Sequence, residues 1–210
     1  MNNSIIESLQ RSLGHSAESL LSERPPIYDA RNPGTVESEI QLFLEEVRKL
    51  SGVGQILSTS DVDGALKALV TQQKIRTATV WETPNLKQLS ITETLASLEV
   101  ELVSPNASKE EMALCDLGIT EADFILPETG TLVLRSSEEK PRGVSLLPPT
   151  HLAIVRPEML RVDMHQVFVE AKDSNYLVFI TGPSRTADIE LTTTLGVHGP
   201  KNLLVWMVEG

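Results

Sequence analysis

The chain has 210 residues, of which 29 are acidic and 18 basic, so its formal net charge is −11. Such an acidic chain repels the phosphate backbone, and no cluster of Lys and Arg with interleaved aromatic residues offsets that repulsion, which excludes nucleic acid as an expected partner. No apolar run approaches the roughly 20 residues that a bilayer-spanning helix needs, so we expect no membrane insertion.

Apolar residues make up 40% of the chain but aromatic residues only 4%. A core of this composition consists mainly of Leu, Ile, Val and Ala, which favours an α/β interior over a β-sandwich. The first residues carry an acid within their apolar pattern, unlike a secretion signal. The single cysteine, Cys115, forms no internal disulfide and cannot ligate an iron–sulfur cluster unaided. We therefore expect a cytoplasmic protein.

The first predicted element is a short helix with apolar side chains at Ile5, Ile6, Leu9 and Leu13. A polar, proline-rich stretch over residues 14–34 follows, and we interpret it as a linker or a surface arm. We therefore divide the chain into an N-terminal helix with its arm, residues 1–34, and an α/β domain over residues 35–210.

From residue 35 onward, helical and strand patterns alternate. Asp61 is positioned to cap a helix, and Ser108 with Glu111 forms a capping box that starts another. The predicted helices cover residues 36–50, 62–73, a short segment after 108, and 157–171, and the predicted strands cover 77–81, 98–103, 122–126, 131–135, 150–155, 176–180 and 203–208. This order indicates a parallel or mixed sheet covered on both faces, and ligands of such sheets bind at the carboxyl ends of the strands.

Residues 181–190 read TGPSRTADIE and directly follow an apolar strand, so we expect them at that carboxyl edge. Gly182 permits an unusual turn, and a hydroxyl side chain after it can cap a following helix. Free backbone N–H groups, the helix dipole and Arg185 would together bind a carboxylate or phosphate. The alternative is a well-capped helix in which Arg185 pairs with a nearby acid. The candidate anion-binding residues are Thr181, Gly182, Ser184, Arg185, Thr186 and Asp188.

Residues 127–134 read PETGTLVL and connect two apolar segments. Glu128 lies at this connection, where it would serve as a nucleophile or general base if a cleft desolvates it. Thr129, Gly130 and Thr131 form the turn itself and join the candidate ligand-binding residues. The alternative is a hairpin turn with an exposed acid.

Two histidines lie at the ends of predicted strands. His151 begins one strand after Pro148-Pro149, and His198 lies between two glycines in GVHGP, where the backbone can approach a ligand closely. His198 is therefore a candidate ligand-binding residue, whereas for His151 a structural role is favoured over the alternative of orienting a ligand. Their spacing matches no standard metal-ligand pattern, so we expect no metal site.

Three separated motifs occur in one order: PETGTLVL, then SLLPPTHLAIV at residues 145–155, then TGPSRTADIE with GVHGP. Together they resemble the lactate-utilisation (LUD) domain family, from residue 120 onward. The resemblance implies a three-layer α/β/α fold with a largely parallel sheet, similar to sugar-phosphate isomerases and coenzyme A transferases.

The resemblance also implies a role in metabolism. Bacterial relatives of this type act with two partner proteins in oxidising L-lactate to pyruvate, and those partners are expected to carry iron–sulfur clusters. This chain would then be the component without a cluster or other cofactor, acting as an accessory or small-carboxylate-binding protein. The alternative is a stand-alone acyl-CoA transferase- or isomerase-like enzyme, because class I coenzyme A transferases use a glutamate in a Glu-x-Gly turn as nucleophile and Glu128-Thr129-Gly130 has that shape.

Overall fold

The computed structural model describes residues 8, 12, 14, 31–187, 193–196 and 198–210. Almost all of the predicted N-terminal helix and of the proline-rich arm lies outside the described residues. Arg31–Gly210 form one compact unit. No helix in the described part of the chain is long and apolar enough to cross a membrane.

The centre of this unit is a six-stranded sheet in which every neighbouring pair is parallel. Its strands are β1 (Val53–Ser58), β2 (Thr77–Val80), β3 (Glu101–Val103), β4 (Leu117–Glu121), β7 (Thr150–Val155) and β11 (Asn202–Glu209), in the spatial order β1-β11-β7-β4-β2-β3. Every residue of β4 and β7 is buried, as expected for central strands of a parallel sheet that is covered on both faces.

Seven α-helices are present in the described ranges from residue 31 onward. They are α1 (Val36–Lys49), α2 (Val62–Gln73), α3 (Pro84–Gln88), α4 (Ile91–Ser97), α5 (Lys109–Ala113), α6 (Gly143–Leu146) and α7 (Met164–Glu170). Thr35 caps α1 by accepting a hydrogen bond from the Ser38 N–H at 3.2 Å. The apolar residues of α1 recur every three or four positions, and the stripe at Ile40, Phe43, Leu44 and Val47 is buried.

The helices cover both faces of the parallel sheet, because successive residues of a strand point to opposite sides. On β1, a Cβ atom added to Gly54 would lie 2.8 Å from Leu44 Cδ2 of α1. The next residue, Gln55, lines a cavity together with Ala65 and Leu69 of α2. Helices α1 and α2 therefore pack on opposite faces, and the predicted α/β fold with a largely parallel sheet is confirmed.

Two smaller antiparallel sheets complete the unit. One contains β5 (Phe124–Leu126), β6 (Thr131–Ser136) and β8 (Tyr176–Thr181) in the order β5-β6-β8, and the other pairs β9 (Arg185–Ala187) with β10 (Thr193–Leu195). A separate apolar cluster beneath the first of these sheets contains Phe124, Leu126, Val133, Val167 and Ala171. A 3₁₀ turn, Pro127–Thr129, connects β5 to β6.

Several predicted element boundaries are confirmed and others are wrong. Helix α2 has the predicted limits, and the Ser108–Glu111 capping box forms, but the side chain of Asp61 does not cap α2. The predicted strand over 98–103 is shorter because Leu98 ends α4. The predicted helix over 157–171 is divided into a 3₁₀ turn, Pro157–Met159, and helix α7. Asp163 caps the start of α7 by accepting a hydrogen bond from the Gln166 N–H.

Candidate ligand site

The TGPSR loop does not lie where the sequence places it. Strand β8, which precedes the loop, belongs to the antiparallel sheet and not to the parallel one. The Ser184 N–H of the loop donates to the Pro200 carbonyl at 2.9 Å. The N–H of the next residue after Pro200, Lys201, donates to the Pro149 carbonyl at 2.8 Å. Because Pro149 precedes β7 and Pro200 precedes β11, the loop lies at the amino edge of the parallel sheet. The predicted position at the carboxyl edge is wrong.

The TGPSR and GVHGP segments pack tightly against one another. The Gly196 N–H donates to the Ser184 carbonyl at 3.0 Å. A Cβ atom added to Gly199 would lie 3.2 Å from the Cβ of Ser184, closer than most side chains allow. His198, in the same segment, is exposed. The close backbone approach expected from the glycines of GVHGP is thus directed at the TGPSR loop.

Residues 185–187 form strand β9 and not the start of a helix, so the predicted helix start is wrong there. These residues therefore supply no helix dipole to an anion. Thr186 lies opposite Thr194 of β10, and Asp188 falls outside the described residues. The Ser184 N–H is already used by Pro200, so it is not one of the free amides expected at an anion site. The β-branched threonines in this segment favour a strand over a helix.

Arg185 and Gly182 fix the loop against the end of α1. One guanidinium nitrogen of Arg185, Nη2, donates to the Leu50 carbonyl and, at 3.0 Å, to the Ser51 hydroxyl. Gly182 has a φ of 83°, and a Cβ atom there would lie 2.9 Å from the Leu50 Cβ. A left-handed backbone conformation and close approach to a neighbour both require glycine at this position.

A chain of three threonine hydroxyls joins the PETGT turn to the TGPSR loop. Thr131 Oγ1 lies 2.7 Å from Thr129 Oγ1 and 2.8 Å from Thr181 Oγ1. Between these threonines, Gly130 has a φ of 60°, and a Cβ atom there would lie 2.8 Å from the Val47 backbone nitrogen of α1. The turn therefore packs directly on α1, on the same helix whose end holds Arg185.

Glu128 lies on the outer side of this turn. Its side chain is 67% exposed, and one carboxylate oxygen lies 3.8 Å from Nε of Arg31. Arg31 makes shorter contacts with Glu39, and this pairing lowers the pKa of the Glu39 carboxyl. A nucleophilic carboxylate requires a desolvated cleft, and the described residues around the exposed Glu128 do not form one.

His151 is enclosed within the sheet. It is 0% exposed, and its Nε2 lies 2.8 Å from Thr120 Oγ1. Burial lowers the pKa of His151 to about 3, so the ring is neutral at physiological pH. A side chain so completely covered contacts no ligand in solvent, which agrees with the structural interpretation of this histidine.

Cys115 lies just after α5 and not within a helix. Its thiol is buried, and burial raises its pKa to about 11, with the negative charges of Asp116 and Glu101 acting in the same direction. Such a thiol is almost wholly protonated at neutral pH and is a poor nucleophile. Cys115 is therefore a buried thiol of low reactivity.

Sequence reasoning missed a half-buried cluster of charges at the carboxyl end of β4. Lys140 Nζ lies 3.1 Å from Asp123 and 3.7 Å from Glu121, and it stands 5.5 Å from the ring centroid of Trp81. The indole N–H of Trp81 donates to the Pro141 carbonyl at 3.0 Å. These contacts hold the connection after β6 across the end of the parallel sheet. An acid at the end of an otherwise apolar strand was the available sequence signal.

The parallel sheet with its amino-edge loops places the chain among α/β proteins whose family can be identified by comparison. The LUD domain family model matches residues 40–208, so the chain belongs to the LUD domain family.

Individual relatives agree with this membership. A protein named lactate utilization protein C from Halalkalibacterium halodurans is 27% identical over 220 residues, which cover 97% of this chain and 96% of that protein. A protein of the same name from Bacillus subtilis strain 168 is 41% identical over 103 residues, 45% of this chain and 42% of that protein. A DUF162 family protein from Deinococcus radiodurans has a TM-score of 0.64 at 18% identity, covers 84% of this chain and 100% of its own, and shares its fold.

Proposed function

We propose that this protein is a component of a bacterial L-lactate utilisation system. Membership of the LUD domain family and relatives named lactate utilization protein C support this role. In the more specific form of the proposal, the protein acts with iron–sulfur proteins that oxidise L-lactate to pyruvate and is itself the component without a cluster. The single buried cysteine supports that division of labour, because one enclosed thiol cannot hold a cluster.

The observation that carries the proposal is the convergence of the motifs that resemble the family. PETGT, PPTH, TGPSR and GVHGP are distant in sequence, yet hydroxyl and backbone hydrogen bonds join them at the amino edge of the sheet. Loops of this composition are typical of ligand or partner recognition.

We propose that these loops bind a small carboxylate. Arg185 is exposed, and in the described part of the chain only its Nη2 donates a hydrogen bond. The other N–H groups of the guanidinium fork then face a ligand, and such a fork matches a carboxylate. The contact of Nη2 with Leu50 and Ser51 would hold the guanidinium in place, which reduces the entropy lost on binding.

Growth of a deletion strain tests the role and the loop in one experiment. Loss of the gene is expected to prevent growth on L-lactate as sole carbon source and to leave growth on pyruvate intact, because only the oxidation step is missing. The intact gene should restore growth on L-lactate. The Arg185→Lys variant should restore it poorly, because lysine lacks the planar fork, whereas Arg76→Lys, at an exposed arginine before β2, should restore it fully.

Co-purification from cells grown on L-lactate tests the partners. The full chain, carrying an affinity tag, is expected to retain proteins that contain iron and acid-labile sulfide. Normal growth of the deletion strain on L-lactate would refute the lactate role. Recovery of the chain without any iron–sulfur protein would refute the proposed partners alone.

A further inference from the structure

A cavity lies at the other end of the antiparallel sheet from the TGPSR loop. It has a volume of about 680 Å³ and lies between α5, α6 and the ends of β6 and β8. Its apolar wall is formed by Met112, Leu146, Leu147 and Tyr176. Tyr176 begins β8 whereas Thr181 ends it, so this cavity is separated from the TGPSR loop by the length of that strand.

The charge of this cavity is opposite to that of the molecule. Its charged lining residues are Lys109 and Arg142, and no acidic residue lines it. Three other cavities with charged residues in their lining each include at least one glutamate. In a chain of net charge −11, an apolar cavity bordered only by cations is a local reversal of the surface potential.

Neither cation is neutralised by the described part of the protein. No ion pair of Lys109 or Arg142 is found there. The guanidinium carbon of Arg142 instead stands 4.6 Å from the ring centroid of Tyr176. This cation–π contact holds the guanidinium at the mouth of the cavity, where its charge is available to a ligand.

We propose that this cavity binds an anionic small molecule with an apolar or aromatic body. The anionic group would pair with Arg142 and Lys109 at the rim, and the body would lie against Tyr176, Leu146 and Leu147. The volume lies within the range of about 300–1,000 Å³ typical of sites for cofactor- and drug-sized ligands, and it is far larger than a three-carbon acid requires. The site is thus distinct from the carboxylate site proposed at the TGPSR loop, and the two proposals fail or succeed independently.

Paired fluorescent dyes test the proposal on the full chain. The anionic probe is 8-anilinonaphthalene-1-sulfonate, and the neutral control is N-phenyl-1-naphthylamine, which has the same ring system without the charge. The Arg142→Gln and Lys109→Gln variants are each expected to weaken sulfonate binding about fivefold, because each loses one rim charge. Binding of the neutral dye should change by less than about twofold, because the apolar wall is intact.

Two further variants locate the site. Tyr176→Ala is expected to weaken binding of both dyes, because it removes part of the apolar wall. Arg76→Gln, which neutralises an exposed arginine before β2, should affect neither dye. Unchanged sulfonate affinity in both rim variants would overturn the proposal, as would equal weakening of the neutral dye by Arg142→Gln with an unaltered circular dichroism spectrum.

Discussion

One face of the parallel sheet buries a small group of polar side chains around His151, and their hydrogen bonding depends on the charge of its ring. Thr79 and His151 lie on either side of Gly118 in the strand register, and Thr120 pairs with the His151 ring. Nδ1 of His151 and Oγ1 of Thr79 are buried and have no hydrogen-bond partner among the described residues. A neutral imidazole satisfies one ring nitrogen here, whereas a charged one would have to bury its charge.

Acid is therefore expected to destabilise the fold through His151. Its folded pKa of about 3 lies below the ordinary value of 6.5, so the unfolded state binds a proton that the folded state does not. The stabilisation from the neutral His151 ring is therefore complete above pH 6.5 and is lost as the pH falls toward 3. By pH 5 the free energy of unfolding has fallen by about 2 kcal/mol. Urea unfolding at pH 7.5 and pH 5 measures it.

The His151→Gln variant isolates this contribution. Glutamine does not titrate, so the variant should lose about 2 kcal/mol less than the wild type between the two pH values, even though its stability at pH 7.5 is lower. Equal losses in the two proteins would show that carboxylates, and not His151, govern the acid sensitivity.

The sequence predicted the place of such residues better than their roles. His151 was correctly placed at the start of a strand, because PPTHLAIV carries a local strand pattern. Its enclosure could not be predicted, because burial depends on α6 and on neighbouring strands that are distant in the chain. Glu128 likewise lies in the predicted turn, but its exposure is a property of the packed molecule.

At the scale of elements, the packing of α6 on β4 depends on the absence of one side chain. A Cβ atom added to Gly118 would lie 1.9 Å from the Val144 carbonyl oxygen and 3.0 Å from Pro148. A backbone atom cannot rotate away from such a contact, so α6 would have to move as a unit.

The Gly118→Ala variant is accordingly expected to lower the free energy of unfolding by about 3 kcal/mol. Gly64→Ala in α2 is the matched control: nothing lies within 4 Å of the added Cβ, and alanine is the better helix former. That control should be more stable by about 0.5–1 kcal/mol. Thermal or urea unfolding compares the two, and a harmless Gly118→Ala would mean that α6 is not held against β4.

Elements with strong local signals were predicted accurately, and those without them were not. Helix α2 was identified from apolar spacing and the start of α5 from its capping-box residues. The segment after TGPSR carries helix-cap residues and β-branched residues together, so its local preferences conflict. Pairing of β9 with β10 decides the outcome, and that pairing is a tertiary contact.

At the scale of the whole molecule, the α/β class could be predicted and the position of the candidate site could not. Alternating strand and helix patterns indicated the parallel sheet. Nothing local to β8 indicates that it joins β6 in a separate sheet, since an apolar run of this composition suits a strand of either sheet. The candidate loops were therefore predicted at the carboxyl edge of the parallel sheet, whereas they lie at its amino edge.

The single thiol offers a measure of the integrity of the whole molecule. Because Cys115 is buried with its pKa raised to about 11, its reaction with an aromatic disulfide reagent at pH 8 should be at least about 100-fold slower than that of free cysteine. The rate should rise to the free-cysteine value across the urea unfolding transition. Rapid labelling without urea would indicate that the end of α5 opens independently.

The position of β11 has a consequence for how the chain acquires its structure. This strand lies between β1 and β7, so residues 53–58 find their sheet partner only in residues 204–209. During synthesis, β1 leaves the ribosome long before β11 exists and must wait with its hydrogen-bonding edge unpaired. Parallel pairings between such distant segments form slowly and expose the nascent chain to aggregation. The central sheet therefore closes only after β11 has been made, so the last-synthesised strand completes its centre.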